Sequence, residues 1–227
     1  MLIRKDSKYE PKTINDIIWG NAESRLRIED IVSGAEALPY CGKSAILLYG
    51  VFGTGKTTLA NLLPNAIEKG RSNEDLAIEA DFIACQQGFN GPQVMSLIER
   101  VLSKTSFNAS GLHYFVLDEV DNLTKLAQQS LKSALNTNRG IFILTTNNIS
   151  ELDKGLKDRC VLVEMNAAAV SDYLPLAKNL VSDMGVVMSD DDLLPTISAA
   201  KGSLRNLIHN VERLARRSNP PPPNIIF

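Results

Sequence analysis

Apolar residues along the chain fall into short unbroken runs, separated by stretches in which they recur every third or fourth position. That alternation predicts a parallel sheet with crossover helices. The runs are Ser44–Tyr49, Ala77–Cys85, His113–Asp118, Gly140–Thr146 and Cys160–Glu164. The first is apolar on both faces and stops at Gly50, as a central buried strand would. Between the runs, Leu59, Leu62, Leu63 and Ile67 mark a helix over 56–69. Gly91-Pro92 opens a second helix through Val94, Leu97, Ile98 and Val101, and a third runs from about 126 to 136. From Ala167 onward no strand run occurs. Helical patterns instead cover 169–184, 190–200 and 203–217, with Gly185 as a stop and Ser189-Asp190 as a cap. The expectation is an α/β domain over 1–165 with a five-stranded parallel sheet in three layers. A small all-helical domain follows over 166–217, then a proline-rich tail over 218–227.

Composition narrows the class without naming a function. Of the 227 residues 44% are hydrophobic, enough for a sizeable core, and 22% are charged, close to the globular average. Twenty-four basic against 26 acidic side chains leave a net charge of -2, so bulk charge does not hold this chain on nucleic acid. Cys41, Cys85 and Cys160 form no metal-spaced pair with each other or with His113 and His209. Reduced thiols in a cytosolic protein are the expectation. The polar N-terminus has no secretory h-region, and no apolar run reaches the ~20 residues needed to cross a bilayer. A cytoplasmic chain with no membrane partner is expected.

The chemistry concentrates at strand ends. Gly50-Val-Phe-Gly53-Thr54-Gly55-Lys56-Thr57-Thr58 stands between a buried strand and a helix. There glycines permit the backbone to point successive N–H groups at phosphates, beside a helix N-terminus. Lys56 adds a mobile cation, and the Thr57 hydroxyl is placed to bind Mg²⁺. The segment reads as a P-loop for ATP and Mg²⁺. A second apolar strand ends in Asp118-Glu119. Its C-terminal end should reach the same sheet edge, with Asp118 at the Mg²⁺ and Glu119 polarising the attacking water. Asp121, close by, reads as a solvated acidic turn. A third strand ends in Thr145-Thr146-Asn147-Asn148, where Asn147 is either a ligand to water and γ-phosphate or part of a plain turn.

Four segments carry a resemblance. They are Leu117-Asp-Glu-Val-Asp-Asn-Leu-Thr124, Ala127-Gln-Gln129, Phe142-Ile-Leu-Thr-Thr-Asn-Asn148 and Asp158-Arg-Cys160. In this order they resemble an AAA+ ATPase, and within that class the small subunits of sliding-clamp loaders such as replication factor C. Tyr9-Glu-Pro11 with Ile17, Ile18 and Gly20 is similar to the adenine-side segment of that family, and Gly202-Ser-Leu-Arg205 to its second sensor helix. The resemblance runs from about residue 8 to 215. It implies Asn147 as the first sensor, Arg205 as the second, and Arg159 as an arginine finger reaching a neighbour's site in trans. Taken from residue types alone, Arg159 between Asp158 and Cys160 reads as a surface ion pair. An in-trans finger implies a homo- or hetero-oligomer, ring or arc, with weak turnover as a monomer.

Departures from the pattern open a second reading. Val51-Phe52 replaces two prolines, Asp158 replaces a serine, Cys85-Gln-Gln-Gly-Phe-Asn-Gly91 lacks the charges that track DNA, and no collar pattern follows 217. The first reading is an ATP-switched subunit acting on DNA or a clamp and replication complex. The alternative is an assembly or remodelling ATPase for protein partners, such as a helicase loader or a transposition or defence ATPase. A third, a module that binds nucleotide without hydrolysing it, does not need Glu119. The tail Asn219–Phe227 is either a free end or a stiff docking peptide for a partner.

Overall fold

One parallel sheet runs in the order β2-β3-β4-β1-β5. The strands are β1 Ala45–Tyr49, β2 Ala80–Ala84, β3 His113–Asp118, β4 Gly140–Thr146 and β5 Cys160–Glu164. The computed structural model describes residues 6–72, 78–86 and 90–218. The central strands are the unbroken apolar runs, because helices cover both of their faces and no position is left for water. All of β4 is buried, as are Ala45 to Leu48 of β1. β2 lies at the edge, and only Ile83 of its five residues is buried.

Nine helices are described: α1 Asp6–Tyr9, α2 Ala22–Ser33, α3 Lys56–Ser72, α4 Gly91–Leu102, α5 Lys125–Ala134, α6 Lys154–Asp158, α7 Leu174–Asp183, α8 Asp190–Ala199 and α9 Leu204–Ser218. On one face of the sheet, Ile28 and Ile31 of α2 and Leu59, Leu63 and Ile67 of α3 pack on Ile46, Leu48, Tyr114 and Ile143. On the other, Val94, Ala127, Leu131 and Leu156 pack on Leu47, Phe115 and Phe142. The rings of Phe115 and Phe142 stack there at 4.7 Å. Apolar periodicity marks α2 only weakly, because of its 12 residues only Ser24, Ile28 and Ile31 are buried. Its start is nevertheless capped, with the Asn21 side chain accepting from the N–H groups of Glu23 and Ser24. α3 runs to Ser72, three residues past the expected stop. At Gly70 a Cβ would lie 1.9 Å from the Val32 carbonyl oxygen, so this glycine lets α3 cross α2 in close contact.

Beyond β5, α7, α8 and α9 close around a core of their own that includes Ala177, Leu180, Leu193, Leu207 and Val211. Gly185, at φ 73°, follows α7, and Ser189 caps α8 by accepting from the Asp192 N–H. Tyr9 and Ile18 from the start of the chain pack against this helical core. The tail 219–227 lies outside the described residues.

Candidate active site

Parallel register gathers the chemistry at one edge. Leu117 pairs with Leu144 and Leu48 with Thr145, so β1, β3 and β4 end side by side. At this edge lies a cavity of about 510 Å³ between the sheet and the C-terminal helices α7 and α9. Gly53, Thr54, Gly55, Lys56, Thr57 and Thr58 form its floor. Tyr9, Pro11, Ile17 and Ile18 supply one wall, with Leu176, Leu204 and Ile208 adding apolar surface. Glu119 and Asn147 face it from the strand ends, and Arg205 from the N-terminal turn of α9.

The loop after β1 is held from both sides. Gly53, at φ 80°, accepts a hydrogen bond at its carbonyl from the Leu204 N–H of α9 at 2.9 Å. A Cβ on Gly53 would stand 2.3 Å from the Ser203 hydroxyl oxygen, so only glycine lets loop and helix meet there. Lys56 is buried and curls into the loop, donating to the carbonyls of Gly50 at 3.0 Å and Val51 at 2.7 Å. Burial holds its pKa below the ordinary lysine value, against the opposing pull of the Asp121, Asp118 and Glu119 carboxylates. Gly50 itself supports the loop from beneath rather than lining the cavity.

Asp118 stands just behind the cavity wall. Its Oδ1 accepts from the Thr57 hydroxyl at 2.8 Å and from the Thr145 hydroxyl at 2.6 Å. Two hard oxygen donors so close match neighbouring ligands of an octahedral Mg²⁺, about 2.9 Å apart for metal–oxygen bonds of 2.0–2.1 Å. No cluster of three or more His, Cys, Asp or Glu suited to a metal occurs among the described residues. A hydroxyl and one carboxylate therefore suit an ion that draws its other ligands from phosphates and water. Nucleotide and Mg²⁺ fit the residues present.

Glu119 adopts a left-handed backbone at φ 58° and ψ 53°, a conformation that costs a non-glycine residue about 1 kcal/mol or more. Its N–H donates to Thr145 Oγ1 at 2.9 Å, and its carboxylate accepts from Asn122 Nδ2 at 3.2 Å. Asn122 also donates to the Cys85 carbonyl at 3.1 Å. Thr145 and Asn122 are organising residues that the sequence pattern passes over. Thr145 could have been found from the strand pairing, which sets it beside Asp118; Asn122 carries no such signal. Asp121 departs from expectation. The residue is half-buried, and its Oδ1 is buried and, among the described residues, without a hydrogen-bond partner, so it is not fully solvated.

Two further residues complete the placement. The Tyr9 hydroxyl donates to Asp183 at the end of α7. Burial and that carboxylate push the phenol up to about 12. Arg159 does not enter the cavity of its own chain. It precedes β5, a strand length of roughly 13 Å from the sheet edge that carries the cavity. Its guanidinium donates to Asn136 Oδ1 at 2.9 Å and to the Gly155 carbonyl at 3.0 Å. Cys85 and Cys160 are buried, their thiols pushed up to about 12 by burial, while Cys41 is exposed and all three are free.

A glycine loop between strand and helix, facing an Asp-Glu strand end across a parallel sheet, defines a P-loop nucleotide-binding protein. The sequence pattern of the ATPase family associated with various cellular activities (AAA) matches residues 46–166, and the chain belongs to that family. It is 27% identical over 208 residues to replication factor C subunit 4 of Saccharomyces cerevisiae, covering 90% of this chain and 61% of that one. It is 28% identical over 213 residues to replication factor C small subunit 2 of Pyrobaculum islandicum, with the same coverage. The chain thus spans about three fifths of the length of these relatives. Its fold is similar to that of the Thermotoga maritima RuvB Holliday junction branch migration motor, with a TM-score of 0.65 at 19% identity. That match covers 90% of this chain and 64% of the motor. No helix among the described residues is long and apolar enough to cross a membrane.

Proposed function

We propose that this chain is a clamp-loader-like, ATP-switched subunit of a DNA-associated oligomer. Residues 1–165 bind nucleotide, and 166–217 act as a lid whose position reports it. The observation that carries the reading is the junction at Gly53, where the phosphate loop is hydrogen-bonded directly to the first turn of the lid helix that bears Arg205. Whatever moves the loop moves the lid. In this reading the loop N–H groups and Lys56 take the β- and γ-phosphates. Thr57 and Asp118 hold Mg²⁺, which when bound neutralises phosphate charge. Glu119 accepts a proton from the attacking water, Asn147 orients that water, and Arg205 contacts the γ-phosphate from the lid. Tyr9, Pro11, Ile17 and Ile18 receive the base.

Arg159 belongs to a neighbour's site. Its distance from the cavity of its own chain supports action in trans, and the similarity to replication factor C subunits supports assembly with other subunits and DNA. Turnover then requires contact between subunits. Glu119→Gln should bind ATP as the wild type does, lose hydrolysis by about a hundredfold or more, and accumulate as an oligomer by light scattering. Arg159→Ala should bind ATP yet fail to turn it over, and mixing it with Lys56→Ala, which keeps its finger, should restore part of the rate. Full activity of Arg159→Ala alone would remove the trans assignment.

A further inference from the structure

The lid helix α9 has an outer face that its packing does not use and that, apart from Arg205 at its start, does not line the cavity. Leu207, Val211 and Ala215 are buried against α7 and α8, and set the inward direction. At 100° per residue, the opposite arc carries Arg205, Asn206, His209, Arg213, Arg216 and Arg217. All six are exposed. Arg205, His209, Arg213 and Arg217 follow one another at intervals of four, a stripe about 18 Å long by the helical rise. Glu212 lies at the margin of the arc and pairs with Arg216 at 3.0 Å. Among the described residues, Arg205, His209, Arg213 and Arg217 have no ion-pair or hydrogen-bond partner. Four arginines on one 15-residue helix stand out in a chain of net charge -2.

We propose that this outer face of α9 binds the phosphate backbone of a nucleic acid. The arc holds no aliphatic, Phe, Tyr or Trp side chain, whereas protein interfaces are centred on such residues. A surface that offers charge and hydrogen bonds alone suits a partner held by charge alone. Its cations are guanidinium groups, whose planar fork matches phosphate oxygens in pairs. The stripe begins at Arg205 beside the cavity and runs outward, so lid movement would carry the bound strand. This surface adds to the ATP switch proposed above without resting on it.

The test is fluorescence anisotropy of labelled 30-nucleotide single-stranded and 30-base-pair duplex DNA, from 50 to 200 mM salt, with and without ATP. The full chain should bind at least one probe with a strong salt dependence, and the stronger of the two names the source of the backbone. Arg213→Ala/Arg217→Ala should weaken binding about tenfold and lower the salt slope by about two. Arg213→Lys/Arg217→Lys should keep most of that slope. ATP hydrolysis without DNA should match the wild type in both, since neither residue touches the cavity. Binding and slope unchanged in the alanine variant would overturn the proposal. So would absence of binding to either probe, or a stripe that retains only an acidic protein. If Glu119→Gln hydrolysed ATP normally, the ATP reading would fail and this result would stand.

Discussion

Thr145→Val isolates one hydroxyl on which two carboxylate residues depend. Thr145 is 2% exposed at the end of β4, and valine has the same shape, so no cavity opens. The hydroxyl donates to Asp118 Oδ1 at 2.6 Å and accepts from the Glu119 N–H at 2.9 Å. Removing it loses a hydrogen bond to a charged group, worth about 1.5–3 kcal/mol, and strands a peptide N–H at a further cost of about 1–3 kcal/mol. Partial repair by water should leave a net loss of about 2–3 kcal/mol, a fall in Tm of roughly 5–10 °C for a chain of this size. A catalytic effect of similar size should accompany the loss of stability. Glu119 sits in an unfavourable backbone region that its N–H bond helps to impose, and among the described residues Asp118 would keep only Thr57 as a side-chain donor. Misplacement of this order should lower kcat about ten- to hundredfold, equivalent to about 1.4–2.7 kcal/mol in the barrier. The Mg²⁺ concentration for half-maximal rate should rise in parallel, while nucleotide affinity measured without metal stays close to the wild type. Magnesium titration of steady-state ATP hydrolysis, read beside a thermal melt, separates these effects. An unchanged kcat and Mg²⁺ requirement in a destabilised variant would mean that Thr145 is a core hydroxyl with no part in placing Asp118 and Glu119.

Two other perturbations probe the framework. Gly53→Ala combines a left-handed φ with a Cβ 2.3 Å from the Ser203 oxygen, so loop and lid must separate. Binding of a fluorescent ATP analogue should weaken at least tenfold, and wild-type affinity would refute the loop–lid junction as the carrier of the switch. Glu68, buried on α3, accepts from the Ser110 hydroxyl and N–H, both at 2.6 Å, and from the Tyr114 hydroxyl at 2.7 Å. Burial pushes its pKa up, but these bonds and nearby Arg71 outweigh it and the net shift is downward. The stability it contributes is therefore complete above the unfolded value of about 4.3 and is lost as pH falls through the lower folded value. Glu68→Gln should lower Tm at neutral pH and flatten its decline below about pH 4.3. A melting curve that keeps the wild-type acid slope would assign that slope to other carboxylates.

Much of the molecule is legible in the order of its residues. Five apolar runs became five parallel strands, because a strand buried on both faces has no position at which a polar residue is free of cost. Glycines and Lys56 after the first run, and Asp118-Glu119 after the third, marked the strand ends that meet at the cavity, because a P-loop pattern admits few alternatives. Helix α2 escaped notice because so little of it is buried, and periodicity registers only what packing demands. The sequence by itself thus determined the layers, the strand ends and most of the residues that meet at the strand-end cavity. Tertiary structure decided what no spacing records. Register set Thr145 against Asp118, and the turn after Glu119 brought Asn122 to its carboxylate while burying an oxygen of Asp121. Arg205 reached the cavity, and Arg159 was left at the far edge of the sheet. The division has a physical cause. Backbone pattern follows from burial averaged over many residues, whereas each of these contacts depends on where two distant segments meet to within an ångström.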